Sequence, residues 1–232
     1  MFDEFETEGF TILKSALDRK TISLLIENLS KLKLSAPVSR NNEFVYGVRN
    51  LLNLSPEIKK FSQSETVRNI AENFLGSKAK VVRANYFDKT VEANWKVPWH
   101  QDLTISVKEK RETEGFSAWT MKAGIGHVQP PVEILEKMTA LRFHLDNADE
   151  TNGALKVITK SHTKGRLSAG EIKKMREANE SALCRVKQGD CLIMRPLILH
   201  SSSAGTFPKR RRVIHLEFSA CGLPNGLEFY GS

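Results

Sequence analysis

The chain contains only three cysteines, Cys184, Cys191 and Cys221, and no C-x-x-C spacing among them. An odd, unpaired set argues against a disulfide framework. The three read as small buried hydrophobes of a protein kept in a reducing compartment. No apolar run approaches the ~20 residues that cross a bilayer. The acidic start, MFDEFETEGF, offers neither the basic patch nor the apolar stretch of a signal peptide. At the other end, Tyr230-Gly231-Ser232 stands where a peroxisomal address would read Ser-Lys-Leu. A cytoplasmic protein without membrane association is therefore expected. Internal repeats, low-complexity tracts and long linkers are also missing. Aromatics are sparse around the densest basic cluster, Lys209-Arg210-Arg211-Arg212, where only Phe207 is near, so base stacking and a nucleic-acid partner are not expected.

What is present suits one folded domain of 232 residues. Apolar residues make up 40% and charged residues 27%, enough for a sizeable core and unlike a disordered chain. The balance of 35 Lys and Arg against 27 Asp and Glu gives a net charge of +8, which draws anions of any kind. Residues 1–79 read as mostly helical. Asp18 can cap a helix carrying Ile22, Leu25, Ile26 and Leu29, and a second helix carries Val67, Ile70, Ala71 and Phe74. Ser62 and Glu65 have capping-box spacing before that second helix, and Gly76 follows it.

From residue 80 the pattern turns to short strands: Val81–Phe87, Met138–Leu145, Ala154–Ile158, Asp190–Met194 and Val213–Phe218. Asn152-Gly153 and Gly189-Asp190 mark turns before two of them. Short helices are expected after Pro130-Pro131 and from Ser168, with Glu171 three residues on. Helices followed by many spaced strands predict an α+β chain, mainly β, whose strands form an antiparallel sandwich or barrel with helices on one side.

Six histidines occur, and only one lies in a compact ligand-like cluster, Trp99-His100-Gln101-Asp102. On an extended strand His100 and Asp102 point the same way and can offer an imidazole nitrogen and a carboxylate oxygen to one ion. A surface histidine beside a turn aspartate is the plainer reading of that pair alone. His200, at the end of an apolar strand, adds a second imidazole. Two imidazoles and a carboxylate with open positions suit Fe(II) oxygen chemistry, and the same set can hold zinc for hydrolysis. An arginine fork binds a carboxylate through two parallel bonds. The turn-rich stretch Ser201–Pro208 suggests a hairpin that brings Arg211 or Arg212 beside the strand of His200.

Taken together, these residues resemble the phytanoyl-CoA dioxygenase family of Fe(II)/2-oxoglutarate-dependent oxygenases. The resemblance is carried by Trp99-His100-Gln101-Asp102, Asn152-Gly153-Ala154-Leu155, Ser161-His162, Gly189-Asp190, His200-Ser201-Ser202 and Arg211, and runs from about Glu8-Gly9-Phe10 to Phe218. Two turns depart from the family pattern: Thr159-Lys160 stands where Pro-Gly is usual, and Ser201 replaces a glycine. The resemblance implies a double-stranded β-helix (a cupin-like jelly roll), with residues 80–220 as its core and residues 1–79 as helical support. It implies iron on His100, Asp102 and His200. Arg211 would hold the distal carboxylate of 2-oxoglutarate, assisted by Ser202, with Gln101 and Trp119 lining that pocket. The implied reaction consumes O2 and 2-oxoglutarate, releases succinate and CO2, and hydroxylates a small, anionic molecule.

His162 is not expected to be a ligand, and His144 and His215 are expected on a sheet face with satisfied hydrogen bonds. His127 lies near the presumed pocket mouth, in a long segment, Ser106 to Gln129, of the kind that forms lids. Packing is expected for Trp95. A zinc-dependent hydrolase or isomerase on the same fold would leave Arg211 without a task, and a basic anion-binding module would show steeply salt-dependent binding.

Overall fold

Local signals set the helices that come first. The computed structural model of the chain describes residues 1–32, 38–41, 44–122, 124–207 and 209–231. Helix α1 (Phe2–Glu8) stops at Gly9, which turns with φ +85° under the ring of His162, where no side chain would fit. After β1 (Phe10–Leu13), the Asp18 carboxylate accepts the Thr21 N–H at 2.7 Å and opens α2 (Arg19–Lys31). Strands β2 (Val38–Asn41) and β3 (Phe44–Val48) precede α3 (Leu51–Leu54), α4 (Pro56–Ser62) and α5 (Glu65–Leu75). The cap of α5 is Ser64, whose hydroxyl accepts from Val67 N–H, and not Ser62. Ser62 is the last residue of α4, and its hydroxyl already donates to the Lys59 carbonyl at 2.8 Å. Gly76 closes α5 as expected.

The β-rich part runs β4 (Lys80–Lys89), β5 (Val97–His100), β6 (Ile105–Val107), β7 (Ser117–Lys122) and β8 (Ile125–Gln129), then α6 (Val132–Leu135) and β9 (Met138–His144). It continues with β10 (Leu155–Ile158), α7 (Ala169–Ala178), β11 (Ala182–Leu183), β12 (Cys191–Met194), β13 (Leu199–Ser202) and β14 (Arg211–Ser219). Ser168 and Glu171 form the expected capping box of α7. The main sheet has seven strands, ordered β1-β12-β9-β14-β4-β3-β2, and faces a four-stranded sheet, β11-β10-β13-β5. This is the double-stranded β-helix. Three of the seven strands come from the first 79 residues, which are thus less purely helical than their periodicity suggests. Strands of four or five residues are too short to declare a period of two. The expected lid, Ser106 to Gln129, is built largely as a third antiparallel sheet, β6-β8-β7. Residues 123 and 208, which fall in the expected lid and hairpin turn, lie outside the described residues.

Alternation along the main sheet divides its side chains between two interiors. Leu141, Phe143, Ile193, Ile214, Leu216 and Phe218 face the helices, where they pack with Ile22, Leu25, Ile58, Val67, Ile70 and Phe74. Their alternates Ala140, Leu192 and Met194 join Leu155 and Val157 of the smaller sheet and Ile198, which precedes β13. Arg142, Arg211, His215 and Glu217 alternate in step with these and line a cavity between the sheets. Cys184 and Cys191 are buried, and burial pushes the Cys184 thiol up to about 12. Among the described residues no helix is long and apolar enough to cross a membrane.

The helices stand on an aromatic contact. Phe143 is fully buried and meets Phe61 edge to face, with ring centroids 5.2 Å apart. Phe143→Ala should lower the unfolding free energy by about 3–5 kcal/mol in urea denaturation. A loss under about 1 kcal/mol would mean the helices are not anchored through this ring.

Candidate metal centre

His100 ends β5 and His200 lies on β13, directly opposite in the antiparallel register, with ring centroids 4.2 Å apart. Both rings are aimed by backbone. The Nδ1 of His100 meets the Pro98 carbonyl at 2.9 Å, and the Nδ1 of His200 meets that of Ile198 at 2.9 Å. A carbonyl can only accept, so each Nδ1 carries the proton and each Nε2 keeps its lone pair for an ion. Asp102, fixed by its N–H donating to the Pro196 carbonyl, places one oxygen 3.8 Å from each Nε2. The three ligand atoms lie within 4.8 Å of one another. The donor set suits a mononuclear cation with a vacant face. Burial opposes the Asp102 charge, but His200, His215, His100 and Arg83 outweigh it and hold the carboxyl well below the usual range. Burial also pushes His200 down to about 4, so its imidazole is neutral and can ligate at neutral pH.

Behind the cluster a cavity of about 180 Å3 runs between the sheets, lined among others by Trp95, Leu155, Arg142, Ser202, Arg211 and His215. Its far end is cationic. Arg211 is buried, and its Nε and Nη1 have no hydrogen-bond partner among the described residues. Lys89, fully buried, is the register partner of Arg211 on β4. Its ammonium donates to Ser202 Oγ at 3.0 Å and to the Ser203 carbonyl at 2.7 Å. Burial and then Arg211 push Lys89 down to about 7, while burial and then Arg142 push Arg211 down to about 9. Gly153 is required beside this pair. Its φ is +76°, and a Cβ would stand 2.4 Å from the Ser203 carbonyl and 2.7 Å from Lys89 Nζ.

A chain of polar contacts braces the floor of the cavity. Arg83 donates to Glu217 at 2.7 Å, His215 Nε2 lies 3.1 Å from the same oxygen, and Arg142 donates to His215 Nδ1 at 2.8 Å. His215 is thus satisfied, as expected. His144 is not, since neither ring nitrogen has a partner among the described residues, and burial, Arg211 and Arg142 keep it neutral.

Several expectations need correction. Arg211 does not sit on a hairpin partner of the His200 strand. β14 pairs with β4 and β9 in the main sheet, and Arg211 faces β13 across the interior. Arg212 points away and pairs with Asp146 at 2.7 Å, and the exposed Arg210 pairs with Asp88 at 2.7 Å, so two charges of the basic cluster are matched by carboxylates. Gln101 does not line the cavity. Alternation turns it opposite to His100 and Asp102, and its amide braces Gly165, Leu197 and Leu167. Trp119 is also absent from the lining. β7 loses register between Ser117 and Thr120, with Ala118 at φ +52°, and the indole packs on the third sheet near Lys110. Trp95, expected in packing, lines the cavity, with Lys89 Nζ 5.3 Å from its ring centroid. Lys89, Arg83 and Arg142 escaped sequence reading, because only the β4-β14-β9 register shows that they face inward. His162 sits apart, against the Glu6 carbonyl.

Fold and cluster together define a jelly-roll protein with a mononuclear metal centre of the Fe/2-oxoglutarate oxygenase type. The phytanoyl-CoA dioxygenase (PhyH) family model matches residues 5–213, and the chain belongs to that family. No curated protein sequence matches it. Solved structures share the fold at low identity. AviO1 from Streptomyces viridochromogenes Tue57 is 20% identical with a TM-score of 0.70, over 97% of this chain and 94% of that one. EctD from S. alaskensis, determined with 2-oxoglutarate and 5-hydroxyectoine, is 14% identical with a TM-score of 0.72, over 94% and 74%. The epimerase SnoN, in complex with Fe3+, alpha-ketoglutarate and nogalamycin RO, is 12% identical with a TM-score of 0.71, over 97% and 89%.

The Lys89 amine gives a test that needs no ligand. Its folded-state pKa, about 7, lies below the unfolded value near 10.5, so between these the unfolded chain binds more protons. Unfolding free energy should therefore gain from this group as pH rises from 7 toward 10, by about 1 kcal/mol per unit. Urea denaturation of metal-free wild type and Lys89→Met at pH 7 and 9 should show that gain in wild type alone. Parallel changes in both proteins would mean Lys89 titrates normally.

Proposed function

We propose that this chain is an Fe(II)- and 2-oxoglutarate-dependent dioxygenase that hydroxylates a small, anionic molecule. The observation that carries the reading is Arg211, buried with two nitrogens that have no hydrogen-bond partner among the described residues, at the end of the cavity that begins at His100, Asp102 and His200, with Lys89 beside it on β4. A buried guanidinium with unfilled donors is costly, and a carboxylate entering the cavity removes that cost. A zinc hydrolase has no use for such an anion pocket.

His100, Asp102 and His200 would hold the metal on one face and leave the other face open. Arg211 would clamp the distal carboxylate of 2-oxoglutarate, with Lys89 as a second contact steadied by Ser202. Once occupied, that contact favours protonated Lys89, so the acid binds with proton uptake near neutral pH. Trp95, Phe87, Val97 and Leu155 line the same space and keep water from it. When bound, iron and 2-oxoglutarate supply oxygen activation, the 2-oxo acid leaving as succinate and CO2 while the second oxygen atom is transferred to substrate. A cytoplasmic location belongs to the same reading, supported by three cysteines without a C-x-x-C spacing.

Metal-free protein given Fe(II) and 2-oxoglutarate under argon should develop the weak visible band of chelated iron, absent without 2-oxoglutarate and in His100→Ala. Arg211→Ala should need at least ~10-fold more 2-oxoglutarate for the same band. His200→Ala, Asp102→Ala and His100→Ala should each abolish 2-oxoglutarate turnover. A missing band together with tight zinc binding would overturn the reading in favour of a hydrolase. With a turned-over substrate, labelled O2 should leave its isotope in the product; a product without it would point to epimerisation or another oxidation.

A further inference from the structure

A second cavity, of about 400 Å3, opens on the other side of His100 and Asp102. It shares Arg83, Asn85, Phe87, His100 and Asp102 with the inner cavity, so whatever fills it lies beside the metal cluster. Its size suits a small metabolite. The charges around it are one-sided. Arg49, Arg83 and Lys122 line it, and among the described residues the only acidic lining residue is Asp102, which belongs to the metal cluster. Arg83 is matched by Glu217, and the exposed Lys122 adds positive charge to the chamber.

His127 adds a directional group. It lies on β8, is 5% exposed and lines the chamber, while its Nε2 has no partner among the described residues. The other ring nitrogen, Nδ1, is 3.4 Å from the hydroxyl of Ser106 on the paired strand β6. That hydroxyl can donate to Nδ1, which leaves the proton on Nε2 as an unused donor. Burial, followed by Arg83, Lys122 and Arg49, pushes His127 down to about 4, so the donor is neutral at physiological pH and needs no counterion. A buried N–H without an acceptor destabilises the fold, and an incoming oxygen anion would remove that cost.

We infer that the outer chamber is the primary-substrate site and that its ligand carries a carboxylate or phosphate, bound by the His127 Nε2–H with Arg49 and Lys122. This rests on the oxygenase reading for the neighbouring metal cluster. The acid group sits at the β8 side, and the rest of the molecule extends past Asn85 and Phe87 toward His100 and Asp102. His127 is thus a substrate-positioning residue.

The probe is inorganic phosphate, titrated into protein loaded with Zn(II), a redox-silent stand-in for iron, and with saturating 2-oxoglutarate so that the inner cavity is filled. Ionic strength is held constant with sodium chloride. Calorimetry should show saturable binding, with the His127 Nε2 resonance moving in step. Lys122→Met and His127→Phe should weaken phosphate about tenfold, and His127→Gln, which keeps a neutral N–H donor, should recover part of the loss. Retention of the Fe(II)/2-oxoglutarate band by each variant shows that its metal site is folded. Phosphate heat no larger than that of chloride, an unmoved His127 signal, or wild-type affinity in His127→Phe would overturn the assignment. Loss of the visible band from wild type, with phosphate still moving His127, would instead defeat the oxygenase reading and leave the acid site standing.

Discussion

Four cationic side chains, Arg83, Lys89, Arg142 and Arg211, are buried or nearly so around the cavities, with Glu217 and Asp102 as their acidic neighbours. Charges removed from water must be paired, neutralised or matched by a ligand. Each solution is used here. Arg83 is paired with Glu217, and Arg142 donates to His215. Lys89 and His144 give up charge, their pKa values pressed down by burial and by Arg211. Arg211 retains open donors, and the ligand solution is left to it. The architecture follows from that arrangement, because only a closed double sheet with helices over its outer face keeps this interior dry.

The two cavities divide the work of the site between them. The inner one ends on Arg211, with Lys89 beside it, and on the proposed reading would take an acid that reaches back to the metal cluster. The outer one is walled by the third sheet, whose β8 carries His127 and whose β7 carries Lys122. They meet at His100 and Asp102, so a co-substrate and a substrate would approach the same ion from different sides. Orientation here is a backbone property. The Pro98 and Ile198 carbonyls fix the imidazoles, and the Pro196 carbonyl fixes the residue that bears the carboxylate.

Much of this was legible in the residues. The H-x-D spacing, the apolar run before His200 and the turn chemistry at Asn152-Gly153 belong to neighbours in sequence, and local geometry sufficed to read them. So did the caps at Asp18 and Ser168, where the accepting side chain and the backbone N–H that donates to it are three residues apart. Gln101 was misread although the same alternation that joins His100 to Asp102 turns it away. Trp119, implied by the resemblance, lies away from the cavity on β7, which loses register between Ser117 and Thr120. The hairpin placing Arg211 beside His200 failed for another reason: two strands that follow each other in the chain were assigned to opposite sheets.

The sequence by itself pointed to the three residues of the candidate metal cluster, the β-rich core with its helical cover, and the excess of positive charge, because these rest on residue type and short spacing. Tertiary structure alone decided which basic residues enter the interior. Arg210, Arg211 and Arg212 are chemically equal in the chain, and the register of β14 between β4 and β9 sends one inward and leaves the others paired with Asp88 and Asp146. The same register puts Lys89 opposite Arg211, while the fold of the third sheet brings His127 to the chamber beside the metal. Such pairings join residues from 21 to 122 positions apart, and no local preference of the backbone encodes which strand will lie beside which.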